Sequence, residues 1–480
     1  MKSILVEASP EETRAAIVED GELLSIEVER ATHSHIVGNI YKGHVQNVLP
    51  GMQAAFVDIG QEKNAFLYIG DGRQHDRIAS LAQPQRIHIG EYLPVQITKD
   101  AIGTKGPRAT THITLPGRNV VLMPTAAYVG ISRRIESEGE RSRLLDIAHR
   151  LCPEGMGLIV RTAAAGVTEE AMAADVRYLT GLWQSILAHF RLKSHGGVLL
   201  YRDADLIIRT IRDSFGPDVD TLLIDDRREA QRARELIEHL SPELVDRVQL
   251  YEGTEPLFRS YGLDRIIESL SARQVELPSG GFLVIDKTEA LTVIDVNTGS
   301  YVGQSNLADT VYHANIEAAA EILRQIRLRD IGGIIIIDFI DMETDAQKES
   351  LLAYLREHGK ADRTKMNVVD ITPLGLVEIT RKKSRQNLAG IVYTECPVCQ
   401  GRGYIESTET VSIRISRDIR QMEARSHAPH GYNIEVAPAV ASELAASPLL
   451  LNLAAKYGTD IKVTAKPDLH PETYSILSQS

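Results

Sequence analysis

The sequence predicts a multidomain fold with α/β and all-β parts, and three observations carry that reading. Its 480 residues exceed what a single hydrophobic core organises. Between Gly38 and about Ile113, short alternating runs are punctuated by Pro50-Gly51, Gly60 and Gly70-Asp-Gly72, the pattern of a small barrel. From Gly280 onward, apolar β-runs instead flank a long helical pattern, as in a parallel crossover.

The chain opens on a sheet, because Ser3 to Glu7 and Ala15 to Glu29 alternate and are interrupted by the hairpin turn Glu19-Asp20-Gly21. In the barrel, Ala55, Val57 and Ile59 fall on one strand face and Phe56 and Asp58 on the other. The next strand turns Ala65, Leu67 and Ile69 one way and Phe66 and Tyr68 outward. Outward aromatics on adjacent barrel strands form the stacking platform of an OB-type RNA-binding module; packing under a loop is the competing role. Val120 to Arg161 reads as a further β-rich piece. Thr168 begins a long amphipathic helix through Met172, Val176, Leu179, Leu182, Ile186 and Phe190, ending near Gly196. Gly197 to Thr210 reads as strands, Thr221 to Asp225 as another strand, and Arg228 to Ile237 as a helix. These elements are expected to complete the N-terminal sheet, with the barrel inserted between its parts.

Two aspartates end separate apolar β-runs, in Leu291-Thr-Val-Ile-Asp295-Val-Asn297-Thr-Gly299 and Gly333-Ile-Ile-Ile-Ile-Asp338-Phe-Ile-Asp341. Between them a helix is expected from Asn306 to about Arg329, with Leu307, Val311, Ala314, Ala318, Ile322 and Ile326 on one face and a Gly332-Gly333 stop. On neighbouring parallel strands both carboxylates emerge on one rim, close enough to share a hard cation such as Mg²⁺, a phosphoryl-transfer geometry. An aspartate after a strand also serves as a helix cap; Asp341 and Glu343 are candidate outer ligands, with capping the role expected of them first. The pair, with Asn297 beside it, favours the metal.

Hydrophobic residues at 43% and charged residues at 25% describe an ordinary water-exposed fold, with no apolar stretch of bilayer length. The N-terminus lacks the apolar core of a signal peptide and three cysteines make no disulfide framework, so a cytoplasmic protein is expected. A net charge of −12 leaves nucleic-acid contact to local clusters: Ser132-Arg133-Arg134, Arg141-Ser-Arg143 and Thr380-Arg381-Lys382-Lys383-Ser-Arg385. Cys396-Pro-Val-Cys399-Gln-Gly-Arg-Gly403 has zinc-knuckle spacing but supplies two of four ligands. Either Cys152 and a histidine complete the site, or a second chain does, making a metal-linked dimer. A redox dithiol competes, although it usually sits between a strand and a helix of a thioredoxin-like unit. The tail from Ser407 to Ser480 carries signals of a small terminal domain.

Together these segments resemble the ribonuclease E/G family. The likeness is carried by Asn39-Ile-Tyr-Lys-Gly43, Ala54-Ala-Phe56-Val-Asp58, Gly157-Leu-Ile-Val-Arg161-Thr162, Arg327-Leu-Arg329-Asp-Ile-Gly-Gly, Ile337-Asp338-Phe-Ile-Asp341-Met and the cysteine turn. Asp295-Val-Asn297-Thr-Gly299 resembles the G branch more than the E branch, as does the lack of a long disordered tail. The resemblance implies endonucleolytic cleavage of single-stranded RNA, preference for 5′-monophosphorylated ends, and roles in ribosomal RNA maturation and mRNA decay. Position by position, it implies that Asp295 and Asp338 hold Mg²⁺, that Asn297 orients the scissile phosphate or a metal ligand, and that Phe56, Phe66 and Lys105 grip RNA. Gly117, Val121, Arg161 and Thr162 match the pocket for a 5′ phosphate, and Cys396 and Cys399 a zinc site shared in a homodimer, with a tetramer left open. Lys365 departs from the arginine of E-type members, which puts fork-type contacts there in doubt.

The implied architecture is an RNase H-like domain (1–34 and 213–277), an S1-type barrel (35–118) and a 5′-sensor region (119–212). A DNase I-like catalytic domain (278–390), a zinc link (391–406) and a small C-terminal domain (407–480) follow. The expected chemistry is attack of a metal-positioned water on phosphorus, leaving 5′-phosphate and 3′-hydroxyl ends, with one or two ions undecided. No histidine pair of ribonuclease A-type spacing stands beside the aspartates. The rivals are a noncatalytic RNA-binding or ribosome-assembly protein and a zinc-dependent scaffold.

Overall fold

Period-two apolar patterning shapes β1 (Lys2–Ala8), β2 (Glu12–Glu19) and β3 (Glu22–Arg30), joined as antiparallel neighbours. The computed structural model describes residues 1–31, 36–69, 87–101, 105–192, 195–299, 307–382, 388–425 and 431–479. Gly70-Asp-Gly72, the helix start at Asn306 and the cationic run Lys383 to Arg385 therefore lie outside the described residues.

The barrel closes through β4 (Ile40–Leu49), β5 (Ala54–Asp58), β6 (Ala65–Tyr68), β7 (Tyr92–Lys99) and β8 (Arg108–Thr110), with β4 paired to both β5 and β7. Val45, Ala55, Val57, Ile59, Ala65 and Leu67 fill its interior, the faces that alternation assigned. A second sheet follows, of β9 (Leu115–Pro116), β10 (Val120–Met123), β11 (Val129–Ile131) and β12 (Gly157–Val160). This stretch, expected to be β-rich, also carries a helix, α1 (Glu138–Leu151), between β11 and β12. Ser137 caps α1 by accepting from the Glu140 amide, and Leu144, Ile147 and Ala148 bury one helical stripe. The long helix α2 (Glu169–Leu192) packs Met172, Val176, Leu179, Trp183 and Ile186 onto this core.

Gly197 to Thr210 is only partly the expected strand. β13 (Val198–Tyr201) joins the barrel edge at β4, and α3 (Leu206–Ser214) then begins at the cap Asp205. Leu206, Ile207, Thr210 and Ile211 are buried at helical spacing, so apolar content alone misread a helix as a strand. β14 (Thr221–Ile224) runs parallel to β1 with Ile4 opposite Leu222; α4 (Arg227–Leu240) and β15 (Val248–Leu250) follow, giving the order β15-β14-β1-β2-β3. This sheet is buried on both faces. Ile4, Val6 and Ile17 pack on α3 and α4, while Leu5, Ala16 and Val18 pack on α5 (Leu257–Ser260) and α6 (Leu263–Ser269).

The next sheet contains β16 (Gln274–Glu276), β17 (Phe282–Lys287), β18 (Leu291–Asn297), β19 (Gly333–Asp338), β20 (Met366–Ile371) and β21 (Leu376–Arg381), ordered β16-β17-β18-β19-β21-β20. Only β18 and β19 pair in parallel, and the crossover between them contains α7 (Leu307–Leu328). Ile294, Val296, Ile335 and Ile337 face Ala318, Ile322 and Ile326 of α7 and Leu351 and Leu355 of α8 (Asp345–Gly359). The stop of α7 comes before the expected glycine pair. Asp330 takes a left-handed φ of 48°, and the Ile331 amide reaches back to the Ile326 carbonyl at 2.9 Å. α9 (Leu388–Val392) ends this first compact unit, residues 1–392.

Residues 393–480 form a second compact unit. It holds α10 (Thr408–Arg425), β22 (Gly431–Val436), α11 (Pro438–Ala446), α12 (Leu449–Tyr457), β23 (Asp460–Ala465) and β24 (Tyr474–Gln479), with strand order β23-β22-β24. Val411, Ile415 and Ile419 of α10 pack on Tyr432, Ile434 and Val436. The chain is thus a multidomain α/β protein with a closed five-strand barrel. Among the described residues, no single helix is long and apolar enough to cross a membrane.

Candidate functional site

Alternation along β18 buries Ile294 and Val296 and leaves Asp295 and Asn297 on the opposite face; β19 does the same with Ile337 and Asp338. The parallel register sets Asp295 directly across from Asp338, on strands about 4.8 Å apart. Both carboxylates are exposed at the C-terminal ends of their strands, the rim where open α/β sheets place ligands. The Asn297 amide nitrogen donates to Asp295 Oδ2 at 2.9 Å, leaving its oxygen for another partner. Asp341 and Glu343 do not cap α8; Thr344 does, accepting from the Gln347 amide. Two exposed carboxylates and an amide oxygen are the hard donors a Mg²⁺ ion takes alongside its waters. Among the described residues, no cluster of three or more His, Cys, Asp or Glu side chains gathers to hold a metal by itself.

A second polar centre forms where α2, β12 and α3 converge. Asp175 of α2 is buried and accepts from the amides of Asn119 at 2.7 Å and Val120 at 3.2 Å. Burial pushes its carboxyl above the ordinary value, and those amides work against the rise. Gly117 must be glycine here, since a Cβ would stand 2.5 Å from Asp175 Oδ1. Arg161, just after β12, donates from Nη1 to the Gly117 carbonyl at 2.5 Å and from Nη2 to Asp213 Oδ1 at 2.7 Å. Thr162 is exposed, with its hydroxyl 2.9 Å from that of Ser132. A cavity of about 800 Å³ opens beside these groups, lined by Arg134, Arg161, Thr162, Arg212, Asp213 and Arg363 among others. Gly117 and Val121 do not line it. Gly117 is held against Arg161 from behind, and Val121 is half-buried on β10 opposite Ile159 and Pro116. Lys365 is exposed before β20 and also stays outside the wall. Sequence reasoning found Arg161 and Thr162 but missed Arg212, Asp213 and Arg363. Those come from distant segments, and an adjacent Arg-Asp pair carries no periodic signal.

On the barrel, Phe56 and Phe66 face each other across β5 and β6, ring centroids 5.9 Å apart and nearly perpendicular. Each is half-buried, outside the apolar barrel interior, with the two rings packed edge to face against one another. Lys105 and Arg108 are exposed, and Arg108 sits beside Phe66 in the β6–β8 pairing.

The cysteine turn belongs to the second unit. Backbone amides of Cys399 and Val398 and the Cys399 thiol hold the Cys396 thiol below its ordinary value, the polarisation that favours a thiolate ligand. His470 lies against this turn, yet its Nε2 is 2.8 Å from the Val398 carbonyl and its Nδ1 takes the Glu472 amide at 3.2 Å. Both ring nitrogens are engaged, so His470 is not a ready third ligand. Cys152 lies in the first unit, at the end of α1, and burial raises its thiol.

Taken together, carboxylates on a sheet rim, a guanidinium cavity and aromatic rings on a small barrel suit a protein that handles a phosphate-linked polymer. Comparison with known proteins narrows that class. Residues 114–384 match the ribonuclease E/G family, and residues 395–479 match its thioredoxin-like domain. The chain is 40% identical to ribonuclease G of Salmonella typhimurium over 99% of both chains. It is 42% identical to ribonuclease G of Haemophilus influenzae over 87% of this chain and 86% of that one. Ribonuclease E of a Nostoc species is 40% identical over 81% of this chain but 57% of its own. The chain belongs to the ribonuclease E/G family and is an endoribonuclease, a hydrolase acting on RNA. The thioredoxin-like match also describes the small terminal domain. Within it the cysteines precede α10 and do not stand between a strand and a helix, as a redox dithiol usually does.

Proposed function

We propose that this chain is a ribonuclease G-like, Mg²⁺-dependent endoribonuclease that cuts single-stranded RNA to 5′-phosphate and 3′-hydroxyl ends and is stimulated by a 5′-monophosphate. The observation that carries the chemistry is the in-register pair Asp295 and Asp338 with Asn297 bonded to the first. Those two carboxylates would hold Mg²⁺, which supplies Lewis-acid charge and an activated water when bound. Asn297 orients the Asp295 carboxylate and presents its amide to the scissile phosphate. Phe56 and Phe66 offer ring edges and faces to unstacked bases, with Lys105 for the backbone. Arg161 and Thr162 bind the terminal phosphate, where a guanidinium and a hydroxyl suit a monoester.

In this reading the sheet β15-β14-β1-β2-β3 is the RNase H-like domain, the barrel the S1-type module, and the sheet around β18 and β19 the DNase I-like catalytic domain. Cys396 and Cys399 supply half a zinc site that a second copy completes, giving a homodimer. Ribosomal RNA precursors and mRNA in the cytoplasm are the substrates that fit. Purified protein incubated with a labelled 5′-monophosphorylated AU-rich oligonucleotide should cleave it with Mg²⁺ and not with chelator. Binding without cleavage would support a noncatalytic RNA-binding or ribosome-assembly role instead.

A further inference from the structure

Arg161 is not a vacant cation waiting for phosphate. Its Nη1 is used on the Gly117 carbonyl at 2.5 Å, and its Nη2 is already bonded to a carboxylate, Asp213 Oδ1, at 2.7 Å. That carboxylate has a second owner. Arg212 donates to it from Nε and Nη2, at 3.0 Å each, in a two-toothed fork. Arg161 and Asp213 side chains are 26% and 29% exposed, so an anion entering the cavity can reach the pair. Partial burial would raise the Asp213 carboxyl, but the bonds and charge of Arg212 and Arg161 outweigh it and hold the group below the usual value. It is therefore an anion throughout the neutral range.

We infer that Asp213 is a built-in competitor for the 5′ phosphate, a specificity-determining residue that exchanges Arg161 to the incoming monoester while retaining Arg212. This rests on the reading of Arg161 as the 5′-phosphate site. The exchange needs no bond to form or break, only a transfer of charge-assisted hydrogen bonds. A phosphomonoester carries about −1.5 to −2 charges at pH 7 with three strong acceptor oxygens, enough to displace a single carboxylate from one guanidinium nitrogen. A 5′-hydroxyl carries no charge and leaves the internal pair closed. Arg212 makes the exchange reversible, because Asp213 released from Arg161 is still paired and is not left as a bare buried charge.

Asp213→Asn tests this, since the amide keeps an acceptor oxygen for Arg161 and removes the competing charge. The kcat/KM ratio of 5′-monophosphorylated over 5′-hydroxyl RNA should rise by about threefold to tenfold, chiefly through KM, and more at low salt. A purely positioning role predicts a fall in that ratio, and a fall or no change overturns the inference. Arg212→Gln supplies the opposite arm and serves if Asp213→Asn does not fold. With Arg212 gone, Asp213 binds Arg161 more firmly, so the ratio should drop, and an unchanged or increased ratio overturns the proposal. Arg161→Ala, run beside them, separates the two levels. A ratio that survives Arg161→Ala removes the 5′-phosphate reading itself, whereas a ratio that collapses there but does not rise in Asp213→Asn removes only the competitor.

Discussion

Two like charges in register are unusual, and how exposed they are decides what the pair costs. Asp295 and Asp338 both face solvent, so at a strand spacing of about 5 Å their repulsion in a water-like dielectric is on the order of 1 kcal/mol. A buried pair would need a cation simply to fold; this exposed pair does not, and in the proposed reading the cation serves the chemistry alone. Omitting Mg²⁺, with zinc left in place, should therefore abolish cleavage while shifting the melting temperature by no more than about 2 °C. Asp295→Asn and Asp338→Asn should each lower cleavage by at least about 10²-fold with RNA binding retained in a filter assay. Full turnover in either variant would remove the pair from the chemistry. The Asp213 carboxyl, held below its unfolded value near about 3.9, stabilises the fold above that value and loses its contribution as pH falls through the depressed folded one. The denaturation difference between the parent and Asp213→Asn should thus stay flat from about pH 5 to 8 and shrink below about pH 4.

At the scale of elements, close packing and caps decide which local preferences win. Gly43 on β4 lies against Val57 Cγ1 and Val95 Cγ2, where an added Cβ would collide with both side chains inside the barrel. Gly43→Ala should destabilise the protein by about 1–3 kcal/mol, measured by denaturant unfolding, and unchanged stability would mean the barrel core is looser than drawn. α1 is the element that a β-rich reading of Val120 to Arg161 left out. Its charged surface hides a three-residue apolar stripe, and the start is marked only by Ser137 with Glu140 three residues on. Ser137→Ala should cost about 1 kcal/mol of stability without altering cleavage of 5′-hydroxyl RNA.

For the whole molecule, the division at residue 393 matters most. The cysteine turn offers two thiols, one polarised by backbone amides, while His470 is occupied on both nitrogens and Cys152 belongs to the other unit. In the proposed reading, a tetrahedral zinc site takes its remaining ligands from a second chain. Metal analysis with light scattering should find about one zinc per two chains and a dimer that dissociates in Cys399→Ser. One zinc per chain, or a dimer indifferent to that substitution, would mean the ligands are completed within one chain.

The sequence by itself determined the elements whose periodicity is strong: the opening hairpin, the barrel interior at Ala55, Val57 and Leu67, the long helix α2, and the crossover that joins two aspartate-ended strands. It could do so because alternation and helical spacing are local and burial repeats them many times over. It also supplied the candidate residues Asp295, Asn297, Asp338, Arg161, Thr162, Phe56 and Phe66 as types in recognisable segments. Only the tertiary structure decided what each of them meets. Register set Asp295 opposite Asp338, a Schellman turn at Asp330 ended α7 ahead of its glycines, and α3, first read as strand, brought Asp213 onto Arg161 across 52 residues. Contacts between distant segments depend on how separately folded surfaces pack together, and no local pattern in the chain encodes that.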